Sequence, residues 1–279
     1  MVDYACADNQ VKETDGVSLN ATFFDERWTS GRAVTDVIFH PTHPEAFYAA
    51  YNARGDGSTQ DPDGVVLMWS AAMQQRPEYV FHCESPVLSI AATEFAPTVI
   101  MGTTYSGQVV MWDTRAKSTP VQRSALSSNA HTYPVYSMTV VGTQNAHNLI
   151  TISNNGRVCS WEMNKLVQPK ETVDLKTKLS GAKASAKEVE VAATCLATSE
   201  EEFNQFFVGS EDGTVCDCSR HGAKAGVNER FLGHFGPVTS VDLHPRKGPM
   251  DFSDLFLSSS TDWTIKLWSK KSAPSCLFL

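Results

Sequence analysis

Three residues in the last fifth of the chain carry the side chains of an acyl-transfer triad: Ser258, His234 and Asp262. A serine hydroxyl beside a histidine that a carboxylate orients can attack a carbonyl carbon. Such a nucleophile must face its substrate, with donors for the oxyanion nearby. Ser258 instead lies in an apolar run that predicts a strand. Trp268, ten residues later, adds an indole N–H that needs a buried acceptor. We therefore predict a structural hydrogen-bond network of these four residues and no catalytic site.

A second set of residues, His131, Thr151, Asn155 and Trp161, nearly repeats these types and spacings. An unpaired member of a buried polar network costs about 1–3 kcal/mol, so a complete set holds its members firmly together. We expect both networks to fasten a turn to the strands beside it.

The elements that position these residues follow from an internal repeat. A turn residue and a β-prone run that ends in a bulky side chain recur five times, and each copy follows a short apolar run that predicts a hairpin. Trp69 and Trp112 end two copies and lie 43 residues apart, within the ~40–45-residue period of WD repeats. Two further strands per period predict a four-stranded propeller blade. The five copies are Asp63 to Trp69, Ser106 to Trp112, Asn155 to Trp161, Asp212 to Cys218 and Asp262 to Trp268.

Each copy has characteristic residues at its turn and at the end of its strand, which we call markers. The positions of the copies predict the domain organisation. We predict an all-β WD-repeat β-propeller with a partly disordered lead-in segment at residues 1–30. The blades are expected at about 31–84, 85–128, 129–180, 181–232 and 233–279. A Lys-rich stretch from Lys165 to Lys187 joins the third and fourth blades and is interpreted as a solvated loop, or alternatively as a basic contact for an acidic partner. The markers are Asp63, Gly64, Trp69, Gly107, Trp112, Asp212, Gly213 and Cys218.

Metal and cofactor sites are not expected. Cys216, Cys218 and His221 form a loose CxCxxH sequence, but zinc requires four ligands and no second close pair is present. Cys218 stands where other copies have Trp, which favours a packing role. The glycine-containing stretch at residues 102–108 lacks the lysine of a phosphate-binding loop.

Composition excludes several other classes of function. The formal net charge of −8 is unfavourable for nucleic acid and for anionic membrane surfaces. No apolar run reaches the ~18 residues of a membrane-spanning helix. The seven scattered cysteines favour reduced thiols in the cytosol.

Stretches outside the repeat pattern resemble one family, the intermediate chains of cytoplasmic dynein. These stretches include FFDERW (23–28), VVGTQNAHNLI (140–150), SRHGAKAG (219–226) and DWTIKLWS (262–269). The resemblance runs from about residue 17 to about residue 271. The second and third stretches are not part of the repeat consensus, so they discriminate among WD-repeat proteins.

The resemblance implies a seven-bladed propeller that docks on the tail of the dynein heavy chain. It therefore implies a non-catalytic scaffold subunit of the dynein motor complex, working in microtubule-based movement in the cytoplasm. The family's contacts with light chains and dynactin belong to an N-terminal arm that we do not find here. Those partners are not implied. The alternative is a WD-repeat adaptor of another complex, such as an axonemal dynein intermediate chain.

Five blades of a probable seven predict an incomplete or open ring. Pairing of the segment Ser18 to Trp28 with the terminal blade is one way in which the ring would close. The exposed candidates for partner binding are Arg220, His221 and Lys224, in the polar connection that the family shares, together with the Lys-rich stretch.

Overall fold

Every regular element is a β-strand in the part of the chain that the structure describes. This computed structural model describes residues 18–55, 61–143, 146–178, 188–199, 204–222, 225–245 and 252–271. These ranges hold 21 strands and no helix. Adjacent strands in each sheet are antiparallel neighbours in sequence. Short connections of this kind require only hairpin turns.

The first two sheets have four strands each, in simple sequential order. The first sheet contains β1 (Val34–Phe39), β2 (Ala46–Tyr51), β3 (Gly64–Ser70) and β4 (Tyr79–Cys83). The second sheet contains β5 (Val87–Thr93), β6 (Ala96–Thr104), β7 (Val109–Asp113) and β8 (Gln122–Arg123).

The third and fourth sheets have the same order, and a two-stranded ribbon lies between them in sequence. The third sheet contains β9 (Val135–Thr143), β10 (Ala146–Ser153), β11 (Arg157–Glu162) and β12 (Glu171–Asp174). The ribbon pairs β13 (Lys176–Lys178) with β14 (Glu188–Glu190). The fourth sheet contains β15 (Ala193–Thr198), β16 (Gln205–Ser210), β17 (Thr214–Ser219) and β18 (Gly226–Leu232). The fifth sheet has three strands within the described residues: β19 (Val238–Leu243), β20 (Leu255–Ser260) and β21 (Ile265–Ser269).

The five repeat copies all fall on the third strand of a sheet, and the apolar runs before them form the second strand. The first strands β1, β5, β9, β15 and β19 lie side by side in chain order. This arrangement of four-stranded antiparallel units is that of WD-repeat propeller blades, and the predicted fold class is confirmed.

The core is divided among the spaces between successive sheets. One apolar cluster joins the first sheet to the second, and three more join the second to the third, the third to the fourth and the fourth to the fifth. In the second to fifth sheets, the residue that ends the repeat copy packs against the preceding sheet. Its burial between two sheets explains why the sequence places a bulky side chain there. The residues in the four clusters in turn are Trp112, Trp161, Cys218 and Trp268, all fully buried.

The described part of the lead-in segment covers the outer side of the first sheet. No sheet precedes that of Trp69 within the described ranges, and Phe23 takes the corresponding position. The Phe23 ring lies 4.8 Å from the ring of Phe47 and 5.7 Å from that of Trp69. The backbone N–H of Phe24 also donates to the carbonyl of Gln74. Pairing of this segment with the terminal blade is therefore a wrong prediction, because its aromatic residues find an apolar face on the first sheet.

Apolar side chains remain exposed on both terminal sheets. In β1, Ile38 packs into the cluster shared with the second sheet, whereas Val37 and Phe39 point away from that cluster and are exposed. In the fifth sheet, Leu257 and Ile265 are likewise exposed.

The Lys-rich stretch is not entirely a loop. Lys176 pairs with Glu190 and Lys178 with Glu188 across the ribbon, which straddles the predicted boundary between the third and fourth blades. Opposite charges on facing strands stabilise a pair of strands, even where the strands have no apolar periodicity. Lys183 and Lys187 lie outside the described residues.

Candidate functional site

The predicted network in the fifth sheet forms a continuous hydrogen-bonded chain. The indole Nε1–H of Trp268 donates to Ser258 Oγ at 2.7 Å, and Ser258 Oγ lies 2.7 Å from His234 Nε2. His234 Nδ1 lies 3.0 Å from Asp262 Oδ2. Because an ionised carboxylate only accepts, Nδ1 carries the hydrogen of this bond. The chain runs from the middle of the sheet to the β20–β21 turn.

Asp262 is the point at which the network holds that turn. Its Oδ2 accepts from the backbone N–H of Phe235 at 3.0 Å. Its Oδ1 accepts from the backbone N–H of Thr264 at 3.0 Å and from the Thr264 hydroxyl at 2.7 Å. Desolvation opposes ionisation, but the hydrogen bonds from Thr264, Phe235 and His234 outweigh it and hold the pKa of Asp262 well below its usual range. Thr264, which the sequence analysis did not single out, is thus a full member of the network.

The geometry gives Ser258 no path to a substrate. Only 1% of the residue is exposed, and its hydroxyl is shared between Trp268 and His234 inside the sheet. A nucleophile would need an open face and oxyanion donors. The arrangement instead satisfies buried polar groups and positions the turn.

The network in the third sheet differs from the prediction by one residue. Trp161 Nε1–H donates to Thr151 Oγ1 at 2.8 Å, and Thr151 Oγ1 lies 2.7 Å from His131 Nε2. His131 Nδ1 does not reach Asn155 directly. The hydroxyl of Ser153 lies 2.9 Å from Nδ1 and donates to Asn155 Oδ1 at 2.6 Å. The carboxamide lacks the charge of Asp262, and a neutral hydroxyl completes the connection to the turn.

His131 is the most deeply buried titratable member of the two networks, with no exposed surface. Burial, and secondarily the positive charge of Arg157, lowers the pKa of His131 from 6.5 to about 3. The imidazole is therefore neutral at physiological pH.

In the other three sheets, the residue that ends the repeat copy has different hydrogen-bond partners. Trp69 Nε1–H donates to the phenol of Tyr51 at 3.3 Å, and Trp112 Nε1–H donates to the carbonyl of His82 at 3.4 Å. Gly102 stands where the third and fifth sheets place a hydroxyl, and a Cβ there would lie 2.7 Å from the Trp112 ring. Cys218 has no indole N–H, and its thiol lies 3.8 Å from the carbonyl oxygen of Cys216.

The backbone geometry at several turn markers explains which residue types are found there. Gly107 and Gly213 have φ values of 86° and 81°, in the region that favours glycine. Gly64 starts β3, and a Cβ there would lie 2.1 Å from the carbonyl oxygen of Ser85. Asp212 caps its turn by accepting from the Thr214 N–H at 3.0 Å, and Asp63 directly precedes β3.

The CxCxxH sequence does not form a metal site in the described residues, which contain no group of three or more His, Cys, Asp or Glu side chains able to hold an ion. Cys216 and Cys218 are buried in the cluster between the third and fourth sheets. Desolvation raises the pKa of Cys216 to about 11 and that of Cys218 well above its usual value, so both remain thiols. The described residues also contain no helix long and apolar enough to cross a membrane.

Comparison with known proteins shows what this chain is similar to. The family model of the WD domain, G-beta repeat, matches residues 226–269, the segment that holds the fifth-sheet network. Over 257 residues, or 91% of this chain, the sequence is 46% identical to the cytoplasmic dynein 1 intermediate chain of Drosophila melanogaster. This WD-repeat chain is similar to a cytoplasmic dynein intermediate chain over most of its own length. The aligned region spans 37% of the length of that relative.

The residues proposed for partner binding in this WD-repeat chain differ in exposure. Arg220 is not exposed, contrary to the prediction. Its guanidinium lies 3.1 Å from Ser160 Oγ and 3.4 Å from Glu171 Oε2, and only 9% of its side chain is exposed. It ties the fourth sheet to the third. His221 is half-exposed and lies near the same carboxylate. Lys224 lies outside the described residues.

Proposed function

We propose that this chain is a non-catalytic scaffold subunit of the cytoplasmic dynein motor complex, and that its propeller binds the dynein heavy chain in microtubule-based transport. The observation that carries the proposal is the 46% identity to a cytoplasmic dynein 1 intermediate chain across 91% of this chain. On this proposal the protein works in the cytoplasm, associated with microtubules.

The internal architecture supports a scaffold. The hydroxyl, imidazole and carboxylate groups that could do chemistry are used inside the sheets to fasten turns. The charged groups that remain at the surface are predominantly acidic, with a formal net charge of −8 for the chain. A rigid set of sheets that presents loops and turns at its surface is suited to binding proteins.

A direct binding experiment tests the proposal. The purified full chain is mixed with recombinant tails of a cytoplasmic and of an axonemal dynein heavy chain, and complexes are separated by sedimentation. We expect co-sedimentation with the cytoplasmic tail only. Binding to the axonemal tail alone would favour the alternative adaptor function.

Circular dichroism and a cooperative thermal transition provide the control for folding. A chain that melts cooperatively and binds neither tail would overturn the proposal. Trp268→Ala serves as a matched negative control, because loss of a fully buried indole disrupts the fifth sheet.

A further inference from the structure

The β20–β21 turn places a tryptophan where the other four repeat copies have glycine, and three of those glycines have positive φ. Gly107, Gly156 and Gly213 have φ values of 86°, 77° and 81°, and Trp263 has a φ of 66°. Trp263 is the one non-glycine residue with positive φ in the described ranges. A bulky side chain is unfavourable in this left-handed region, so Trp263 is held there at a conformational cost.

The side chain of Trp263 contributes nothing to the packing of the described residues. It is 98% exposed and belongs to none of the apolar clusters. Phe235 is 96% exposed. Its backbone N–H donates to the carboxylate of Asp262, the residue that precedes Trp263. We call these two residues the aromatic patch. Strained residues and exposed aromatic pairs with no internal partner are features of binding surfaces.

An acidic groove lies next to the aromatic patch. A Cβ on Gly213 would lie 2.5 Å from the carbonyl oxygen of His234, so the turn of the fourth sheet touches the loop that carries Phe235. That turn borders a groove of about 620 Å³, whose charged lining consists of Glu190, Glu211, Asp212 and Arg230. Arg230 lies 3.4 Å from Asp212, and Lys176 stands opposite Glu190 in the ribbon, which leaves the charge of Glu211 in excess.

We propose that the aromatic patch and the acidic groove together form a docking surface for a basic segment of the partner protein. The segment would carry an apolar side chain against Trp263 and Phe235, flanked by a Lys or Arg residue that faces Glu211. An exposed indole favours such a partner, because a cation is attracted to its ring face. The inference rests on the proposed function, which makes the heavy-chain tail the occupant.

The decisive variant is Trp263→Gly, measured for binding to the cytoplasmic heavy-chain tail and for thermal stability. Glycine relieves the strained backbone and removes the exposed ring. We expect affinity to fall about tenfold or more while the melting temperature stays unchanged or rises. Phe235→Ala should weaken binding in the same direction. Tyr105→Ala is the matched control, because Tyr105 is an exposed aromatic residue in the corresponding turn of the second sheet. It should leave affinity within about twofold.

The acidic groove has its own test. Glu211→Lys should reduce affinity, and wild-type binding should weaken between ~50 and ~300 mM salt. Binding that is indifferent to both changes would contradict a basic occupant.

The outcomes separate the two proposals. Wild-type binding that Trp263→Gly leaves intact would overturn the docking surface and leave the proposed function standing. A folded wild-type chain that binds no heavy-chain tail would overturn both. A lower melting temperature of Trp263→Gly would show that other residues of the same chain cover the indole, and it would overturn the docking surface.

Discussion

The indole nitrogen of Trp268 and the hydroxyl oxygen of Ser258 lie 2.7 Å apart, although Trp268 pairs in register with Phe256. The offset of two residues keeps both side chains on one face of the sheet, since side chains alternate along a strand. The same offset joins Trp161 to Thr151. A ten-residue spacing in sequence is thus converted into a contact by one hairpin.

Ser258→Ala should lower the free energy of unfolding by about 1–3 kcal/mol, because it leaves the indole N–H and an imidazole nitrogen unpaired in the core. Urea denaturation of the full chain measures the change. Ser259→Ala is the control. Its hydroxyl bonds an exposed Thr239 on the opposite face, and its loss should cost less than about 0.5 kcal/mol. Equal effects of the two substitutions would contradict the role of the network.

His131 should make the protein sensitive to mild acid. Its folded-state pKa of about 3 lies below the ordinary value of 6.5, so the unfolded chain binds the proton first as pH falls. Stability is complete above pH 6.5 and decreases towards pH 3. Protonation of His131 in the unfolded chain should lower the free energy of unfolding by about 2 kcal/mol when the pH falls from 8 to 5. Denaturation curves of the wild type and His131→Asn at both pH values isolate this contribution. A difference between the two proteins that stays constant with pH would disprove it.

Phe23→Ala should destabilise the first sheet by about 1–2 kcal/mol, because the ring packs on Phe47 and Trp69 and is partly buried. Phe24→Ala is a control one residue away. Its side chain is half-exposed, and its loss should change the unfolding free energy by less than about 0.5 kcal/mol. Chemical denaturation that ranks Phe24→Ala as the more damaging change would contradict the packing role of Phe23.

Gly102→Ser should destabilise the protein, although serine is the residue that the fifth sheet uses at the same position. The added Cβ would meet the Trp112 ring at 2.7 Å, and relief of this contact is expected to cost about 1–3 kcal/mol. Thermal denaturation compares Gly102→Ser with the wild type. A stabilised variant would mean that the indole can move to accept the new hydroxyl.

The repeat in the sequence predicts the sheets because its turn residues and bulky strand ends recur in all five copies. It also predicts that His234, Ser258, Asp262 and Trp268 meet. It does not predict Ser153, because two hydroxyl residues of β10 lie within reach of one imidazole and spacing cannot distinguish them.

Features that lack apolar periodicity escape prediction for a different reason. The ribbon of Lys176 and Glu190 is held by strand pairing between charged residues, which a hydrophobic pattern does not reveal. The contact of Phe23 with the first sheet depends on a free apolar face that appears only when the sheets are assembled. The sequence predicts an exposed Arg220 because it lies in a polar connection between strands. Its ion pair with Glu171 is a tertiary contact that this local pattern does not reveal.

The division of the core among neighbouring sheets has a consequence for how the protein comes apart. A sheet in the middle of the series shares side chains with two neighbours, whereas the fifth sheet shares them with the fourth alone within the described residues. In such quasi-one-dimensional arrays each unit depends on its nearest neighbours. Amide hydrogens of β10 and β16 should therefore exchange with solvent most slowly, and opening should begin at the last sheet and spread inwards.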